Sequence, residues 1–170
     1  MPSAFGKPVT TANRFGPAAG ASYALISGGT ADTITTSWTT RTINTEVYDP
    51  SAIVSIVANA FTLIAGTYSI QAVTTCRGGS SVGSFCATAI RLRNTSDSST
   101  ASEGATFGSS DLSSIGRENT AGSVSLSTIT TITSAKTFEI QNVATNANVA
   151  GGVNSGDGPR YVTVTITKIA

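Results

Sequence analysis

The chain's last stretch, Tyr161-Val162-Thr163-Val164-Thr165-Ile166-Thr167, alternates strictly between apolar and hydroxyl side chains. Successive side chains of a strand point to opposite faces, so Val162, Val164 and Ile166 share one face and the threonines share the other. A half-buried strand follows, apolar inward and hydroxylated outward. Val124-Ser125-Leu126-Ser127 begins a second alternation, less regular over 128–133. Phe138-Glu139-Ile140-Gln141 continues it after a turn near Ser134-Ala135-Lys136. Residues 53–64 are richer in apolar side chains, as expected of strands close to a core, and Ala65-Gly66 marks a turn into 67–75. No segment shows a helical period, while Thr, Val and Ile are abundant. Glycine and serine cluster at 77–84, 95–104, 108–122 and 144–159, which are expected to be loops. The pattern predicts an all-β fold, an antiparallel jelly-roll sandwich of about eight strands. No fixed repeat points to a propeller or a β-helix.

A length of 170 residues fits one domain with a short arm. The polarity of the chain is unusual. Thr and Ser together occupy 51 positions, 28 and 23 respectively, whereas charged residues make up 11%, against about 25% in ordinary domains. Polarity therefore comes from hydroxyls and not from ions. A net charge of +1 gives no electrostatic drive toward nucleic acid or an anionic membrane, since such binding needs clustered Lys and Arg. No apolar run approaches the ~20 residues of a membrane span, and the first residues do not read as a secretory signal.

Residues 1–30 differ from the remainder. Three of the five prolines, Pro2, Pro8 and Pro17, fall here. Proline fixes φ and lacks an N–H, so the stretch is predicted to be an extended N-terminal arm ahead of a β jelly-roll domain at 31–170. Phe5-Gly6-Lys7-Pro8 and Phe15-Gly16-Pro17 echo one another, with Arg14 beside the second. One reading is a frayed terminus. The other is an arm that orders against a partner, with Phe5 and Phe15 as anchors and Lys7 and Arg14 as their polar companions.

Cys76 and Cys86 flank a Gly/Ser-rich stretch. In an antiparallel hairpin that sets them opposite each other, Thr74 would face Thr88, Ala72 Ile90, Ile70 Leu92 and Tyr68 Asn94, all on the more apolar face. Cysteines so opposed reach disulfide distance, and a bridge is expected; two reduced, buried thiols are the alternative. Two thiols without histidine are too few for a zinc site.

Chemistry is hard to find in this sequence. The absence of histidine removes Ser-His-Asp and Cys-His catalysis and imidazole metal sites. The nine carboxylates, Asp32, Glu46, Asp49, Asp97, Glu103, Asp111, Glu118, Glu139 and Asp157, are scattered, mostly in expected loops or at strand ends. No Gly-x-Ser-x-Gly elbow, Walker loop or dinucleotide fingerprint occurs. The glycine loop 151–158 carries one carboxylate and reads as a surface loop, not a calcium site. No catalytic, cofactor or metal residue is assigned, and a non-enzyme is expected.

Two stretches carry a resemblance. Arg41-Thr42-Ile43-Asn44-Thr45-Glu46-Val47-Tyr48-Asp49-Pro50 is followed by Phe61-Thr62-Leu63-Ile64-Ala65-Gly66-Thr67-Tyr68-Ser69-Ile70, in which an apolar strand runs into a small-Gly-x-Tyr turn. With Ala89-Ile90-Arg91-Leu92-Arg93-Asn94 and the terminal strand, they resemble the complement globular-head and tumour-necrosis-factor-like trimeric jelly rolls, over residues 34–170. Ala135-Lys136-Thr137-Phe138 stands where that superfamily usually has Gly-Asp. The resemblance implies a homotrimer engaged in structure or binding. With no collagen-like stalk, the hydroxyl-rich, histidine-free chain looks like a bacteriophage virion protein. The expectation is a capsid decoration (cement) protein, made in the host cytoplasm and located on the capsid surface, gripping the major capsid protein through Phe5, Lys7, Arg14 and Phe15. The alternative is the receptor-binding head of a tail fibre or spike, with Trp38, Tyr48 or Tyr161 stacking on a host-surface glycan.

Overall fold

The computed structural model describes residues 22–29, 32–77, 85–110, 121–145, 149–150 and 161–169. Among them are thirteen strands: β1 (Ser22–Gly28), β2 (Thr33–Ile34), β3 (Thr39–Thr40), β4 (Thr45–Tyr48), β5 (Val54–Val57), β6 (Ala60–Leu63), β7 (Gly66–Arg77), β8 (Phe85–Asn94), β9 (Ser99–Ser110), β10 (Ala121–Ile132), β11 (Lys136–Ala144), β12 (Val149–Ala150) and β13 (Val162–Lys168). No helix occurs among the described residues. The strands form two antiparallel sheets. The front sheet has seven strands in the order β2-β12-β7-β13-β1-β4, with β10 also on β7; the back sheet has six, β5-β6-β11-β8-β9, with β3 on β11. The sandwich read from the sequence is the one observed. The surplus over about eight strands comes from short segments of two or four residues.

Alternation builds the core. On β7, Tyr68, Ile70 and Ala72 are buried, and on β13 Val162, Val164 and Ile166 are buried beside them; the register pairs Ile70 with Ile166 and Ala72 with Val164. The back sheet answers with Phe61, Leu63, Ile90, Leu92, Phe138 and Ile140, all fully buried. Phe61 and Phe138 are register partners whose rings stack at 5.8 Å. Tyr68 takes its polar end out of this apolar mass by donating to the Ile64 carbonyl at 2.9 Å. Burial pushes its phenol pKa up, because the phenolate would be poorly solvated.

The other end of the interior is polar. Arg41 is the largest fully buried side chain. Its Nε lies 3.6 Å from the carboxylate of Asp32, which also accepts from the backbone N–H and the hydroxyl of Thr42, at 2.7 and 2.6 Å. Burial lowers the Arg41 pKa, while Asp32 and Cys76 oppose the shift. Removing Asp32 would take from this buried charge one of the groups that compensate it, a change that costs about 3–5 kcal/mol in comparable buried pairs. Thr74 and Asn142 are buried nearby in the alternation of β7 and β11. Gly28 passes so close to this segment that a Cβ would lie 1.7 Å from the Thr42 carbonyl oxygen.

Three expectations need correction. Residues 22–28 lie inside the stretch read as arm, yet they form β1 and pair with both β13 and β4. Proline stops short of this run, and its apolar Ala24 and Ile26 fill the core. Residues 99–104 were read as loop and belong to β9, whose backbone pairs with β8 despite few apolar side chains. The strands expected over 53–64 are there, as the hairpin β5 to β6, turning on Ala58 and Asn59 with φ of 50° and 68°, the φ signature of a type I′ turn. Finally, β7 and β8 do not pair. They stand in different sheets, with Cys76 opposite Gly122 and Cys86 opposite Ser109, because each strand's apolar face fits another neighbour equally well.

Candidate association surface

The outer face of the front sheet is assembled by register. One row across β10, β7, β13 and β1 reads Ser127, Gln71, Thr165, Leu25. The next reads Ser125, Val73, Thr163 and the buried Ser27, and the one on the other side Ile129, Ser69, Thr167, Tyr23. No ionised side chain stands in these three rows. Val73 and Ile129 are exposed, Ile129 at 70%. The face therefore offers hydroxyls, one amide and a few apolar groups, all of which leave water at much lower cost than Lys or Glu.

The outer face of the back sheet is built differently. One row reads Thr40, Gln141, Arg91, Glu103 across β3, β11, β8 and β9. Arg91 donates from Nε to Gln141 Oε1 at 2.8 Å, and Gln141 Nε2 donates to Glu139 Oε2 at 2.8 Å. Thr40 donates to the same carboxylate oxygen at 2.7 Å. The Arg91 guanidinium lies 4.2 Å from the centroid of the Trp38 ring, a cation–π contact. Partial burial and the neighbouring Arg93 lower the Arg91 pKa, while Glu103 and Glu139 raise it. At the end of this face Lys136 pairs with Asp97. The ammonium bond, helped by Asn94, holds the Asp97 carboxyl below the usual carboxylate range. These polar groups satisfy one another within the sheet.

The sequence-predicted residues are distributed unevenly. Phe5, Lys7, Arg14 and Phe15 lie outside the described residues. Cys76 is buried on β7 and its Sγ approaches the Gly122 carbonyl at 3.7 Å; the Cys86 side chain lies outside the described residues, so the expected bridge lies outside them as well. Of the three aromatics assigned to a glycan, Tyr161 is 5% exposed and Tyr48 53%, while Trp38 is covered on one side by Arg91. Asp49 caps the turn before β5, accepting from the N–H groups of Ile53 and Val54. Among the described residues no group of three His, Cys, Asp or Glu side chains gathers as a metal site would require. The contrast between the two faces escaped the sequence reading. Its signal lies in the outward parity of β7, β10 and β13, which acquires meaning only once these three strands are known to be neighbours.

No known protein family and no curated protein matches the sequence. Solved structures do match in fold. Murine APRIL crystallised at pH 5.0 superposes with a TM-score of 0.57 at 10% identity, covering 88% of this chain and 99% of that one. The globular domain of the zebrafish complement 1qA protein superposes with a TM-score of 0.50 at 16% identity, covering 88% and 96%. The chain thus has the jelly-roll fold shared by tumour-necrosis-factor-like and complement C1q globular domains. At these identities the likeness is one of fold alone.

Proposed function

We propose that this chain is a non-enzymatic structural module that assembles as a homotrimer through the outer face of its front sheet. The observation that carries the reading is the absence of charge across the β10–β7–β13–β1 rows. Charged residues are depleted from the centres of protein interfaces, where desolvation is complete. The size also suits: four strands about 4.8 Å apart and nine residues long at about 3.4 Å per residue span roughly 600 Å². That is close to the ~800 Å² per partner of a standard interface. The number three follows the resemblance drawn from the sequence.

At finer grain, the trimer serves as a decoration protein on a bacteriophage capsid, with residues 1–21 as the segment that grips the major capsid protein. A ligand that binds only the assembled shell stabilises it by mass action. Support comes from the hydroxyl-rich composition and from the Phe5, Lys7, Arg14 and Phe15 pattern, which precedes β1. The fibre-head alternative has less support, since only Tyr48 of its three aromatics remains well exposed. Sedimentation of the purified protein tests the association, and a trimer of about three times 17.1 kDa is expected; a monomer at micromolar concentration would overturn it. Co-sedimentation with phage heads tests the role. Full-length protein should bind, and a chain lacking residues 1–21 should stay trimeric and remain in the supernatant.

A further inference from the structure

A strand at the margin of a sheet presents unpaired N–H and C=O groups to which another chain can add. This molecule treats its margins in different ways. Strands β9 and β10 close one side: their backbones approach so nearly that a Cβ on Gly104 would stand 2.3 Å from the Ser125 carbonyl oxygen. Strands β2 and β3 have two residues each, too few to template a partner. Strand β4 has a register shift in its pairing with β1. It also carries Glu46, which pairs with the buried Ile26 and so has inward parity, yet is exposed. Irregular pairing and an inward charge both discourage strand addition. Strand β5, at the margin of the back sheet, has none of these. It reads Val54-Ser55-Ile56-Val57, without charge, and Val57 is 73% exposed.

What β5 has is Asp49. The two-residue turn at Ala58 and Asn59 makes Val57 and Ala60 the closing pair of the hairpin. The backbone groups of Val57 and Ser55 therefore bond β6, while those of Val54 and Ile56 point away from it. Asp49 Oδ2 accepts from the outward Val54 N–H at 2.8 Å, and Oδ1 accepts from the Ile53 N–H at 3.1 Å. A turn in which the Ala52 N–H donates to the Asp49 carbonyl at 3.2 Å folds the carboxylate back onto these groups. Ala52 ends that turn with a φ of 48°, a conformation disfavoured for residues with a Cβ, so the turn is held against a local preference. We propose that Asp49 closes the β5 edge to strand addition by a second copy of this chain. The carboxylate fills the place that an added strand's carbonyl would take, and its charge repels the carbonyl oxygens of an approaching backbone. Without it, two β5 edges suit each other. Related by a twofold axis, they lie antiparallel, Val54 and Ile56 of each continue the inward face of the other, and no like charges meet. This device is independent of the face through which the trimer forms.

The test compares wild type with Asp49→Ala, with Asp49→Ala/Ser55→Lys and with Gly104→Ala, a variant weakened elsewhere. Circular dichroism and thermal melting establish that each is folded. Asp49→Ala should form species that sediment faster than any given by wild type at the same concentration, and that grow as concentration rises. Adding Ser55→Lys, which sets a charge at an exposed position of the edge strand, should restore the wild-type profile. Gly104→Ala should keep that profile throughout. Asp49→Ala that sediments like wild type would overturn the proposal. So would large species that persist with Ser55→Lys, or the same species from Gly104→Ala. Where Asp49→Ala does not fold, Asp49→Asn, which retains one accepting oxygen, takes its place with the same expected order. Hydrogen exchange on wild type needs no variant: the Val54 amide should be protected and the outward Ile56 amide open. Equal protection of the two would overturn the cap.

Discussion

The two outer faces of this sandwich are made by the same fold and the same strand geometry, yet they solve the problem of meeting water in opposite ways. On the back sheet, Arg91, Gln141, Glu139 and Thr40 bond one another, and Trp38 lies under a guanidinium. On the front sheet the rows through Gln71 and Val73 hold no ion and no comparable network. A face whose polar groups are already paired gains little from a partner. A face of short hydroxyls and scattered apolar groups loses little on being covered. The difference teaches that charge distribution, more than fold, separates the face whose polar groups are already paired from the face that is inexpensive to cover.

The contrast breaks most sharply if charge is placed on the front sheet. Thr165→Lys, at the middle of the central row, should abolish association with little effect on the melting temperature of the isolated chain. A buried interfacial charge without a partner typically costs about 2–5 kcal/mol of binding, readable by sedimentation equilibrium. Next in size is the rim where the two sheets meet. A Cβ on Gly104 would stand 2.3 Å from the Ser125 carbonyl oxygen and 2.6 Å from Leu126 Cβ. Because the first of these is backbone, Gly104→Ala should lose about 1–3 kcal/mol of stability in denaturant titration. Arg91→Ala on the back sheet should do less. Loss of a cation–π contact costs about 0.5–1 kcal/mol at exposed sites, and association should be unchanged. The single tryptophan, Trp38, reports this locally through a shift in its emission.

The smallest effect is a pH dependence confined to the back sheet. The folded pKa of Asp97 is depressed by Lys136, so its contribution is complete above the unfolded value of about 3.9. It is lost as pH falls through the lower folded value. Hydrogen-exchange protection factors at the β8–β9 turn, corrected for the intrinsic rate, should therefore fall in acid. The three central rows of the front sheet carry no carboxylate, and association through them should stay level across that window.

Much of this was legible in the residues. The parity of Val162, Val164 and Ile166 placed β13 and its outward, half-buried threonines correctly, because alternation is a property of a single strand. Partner choice is not. The Cys76–Cys86 hairpin satisfied the hydrophobic pattern completely and still failed, since strands with the same parity fit many neighbours. Only the placement of β7 and β8 in different sheets decides among them. For the same reason the burial of Arg41 was invisible: nothing local distinguishes it from a solvated arginine until Asp32 and the sandwich close around it. The serine- and glycine-rich β9 escaped because its backbone, not its side chains, earns its place beside β8. On the candidate surface, outward threonines were read on β13 alone, and the face became apparent only when β7 and β10 were set alongside.

One consequence concerns synthesis. Strand β13 lies between β7 and β1, so the centre of the front sheet is filled by a strand synthesised well after both of its neighbours. Until 162–168 emerge, β1 and β7 each wait with an open flank, exposed to stray pairing with other nascent chains. Charge-poor strands offer little electrostatic protection during that interval. A cell making this protein in bulk therefore faces an aggregation hazard between the synthesis of β7 and that of β13, and the arrival of β13 is itself the step that removes it.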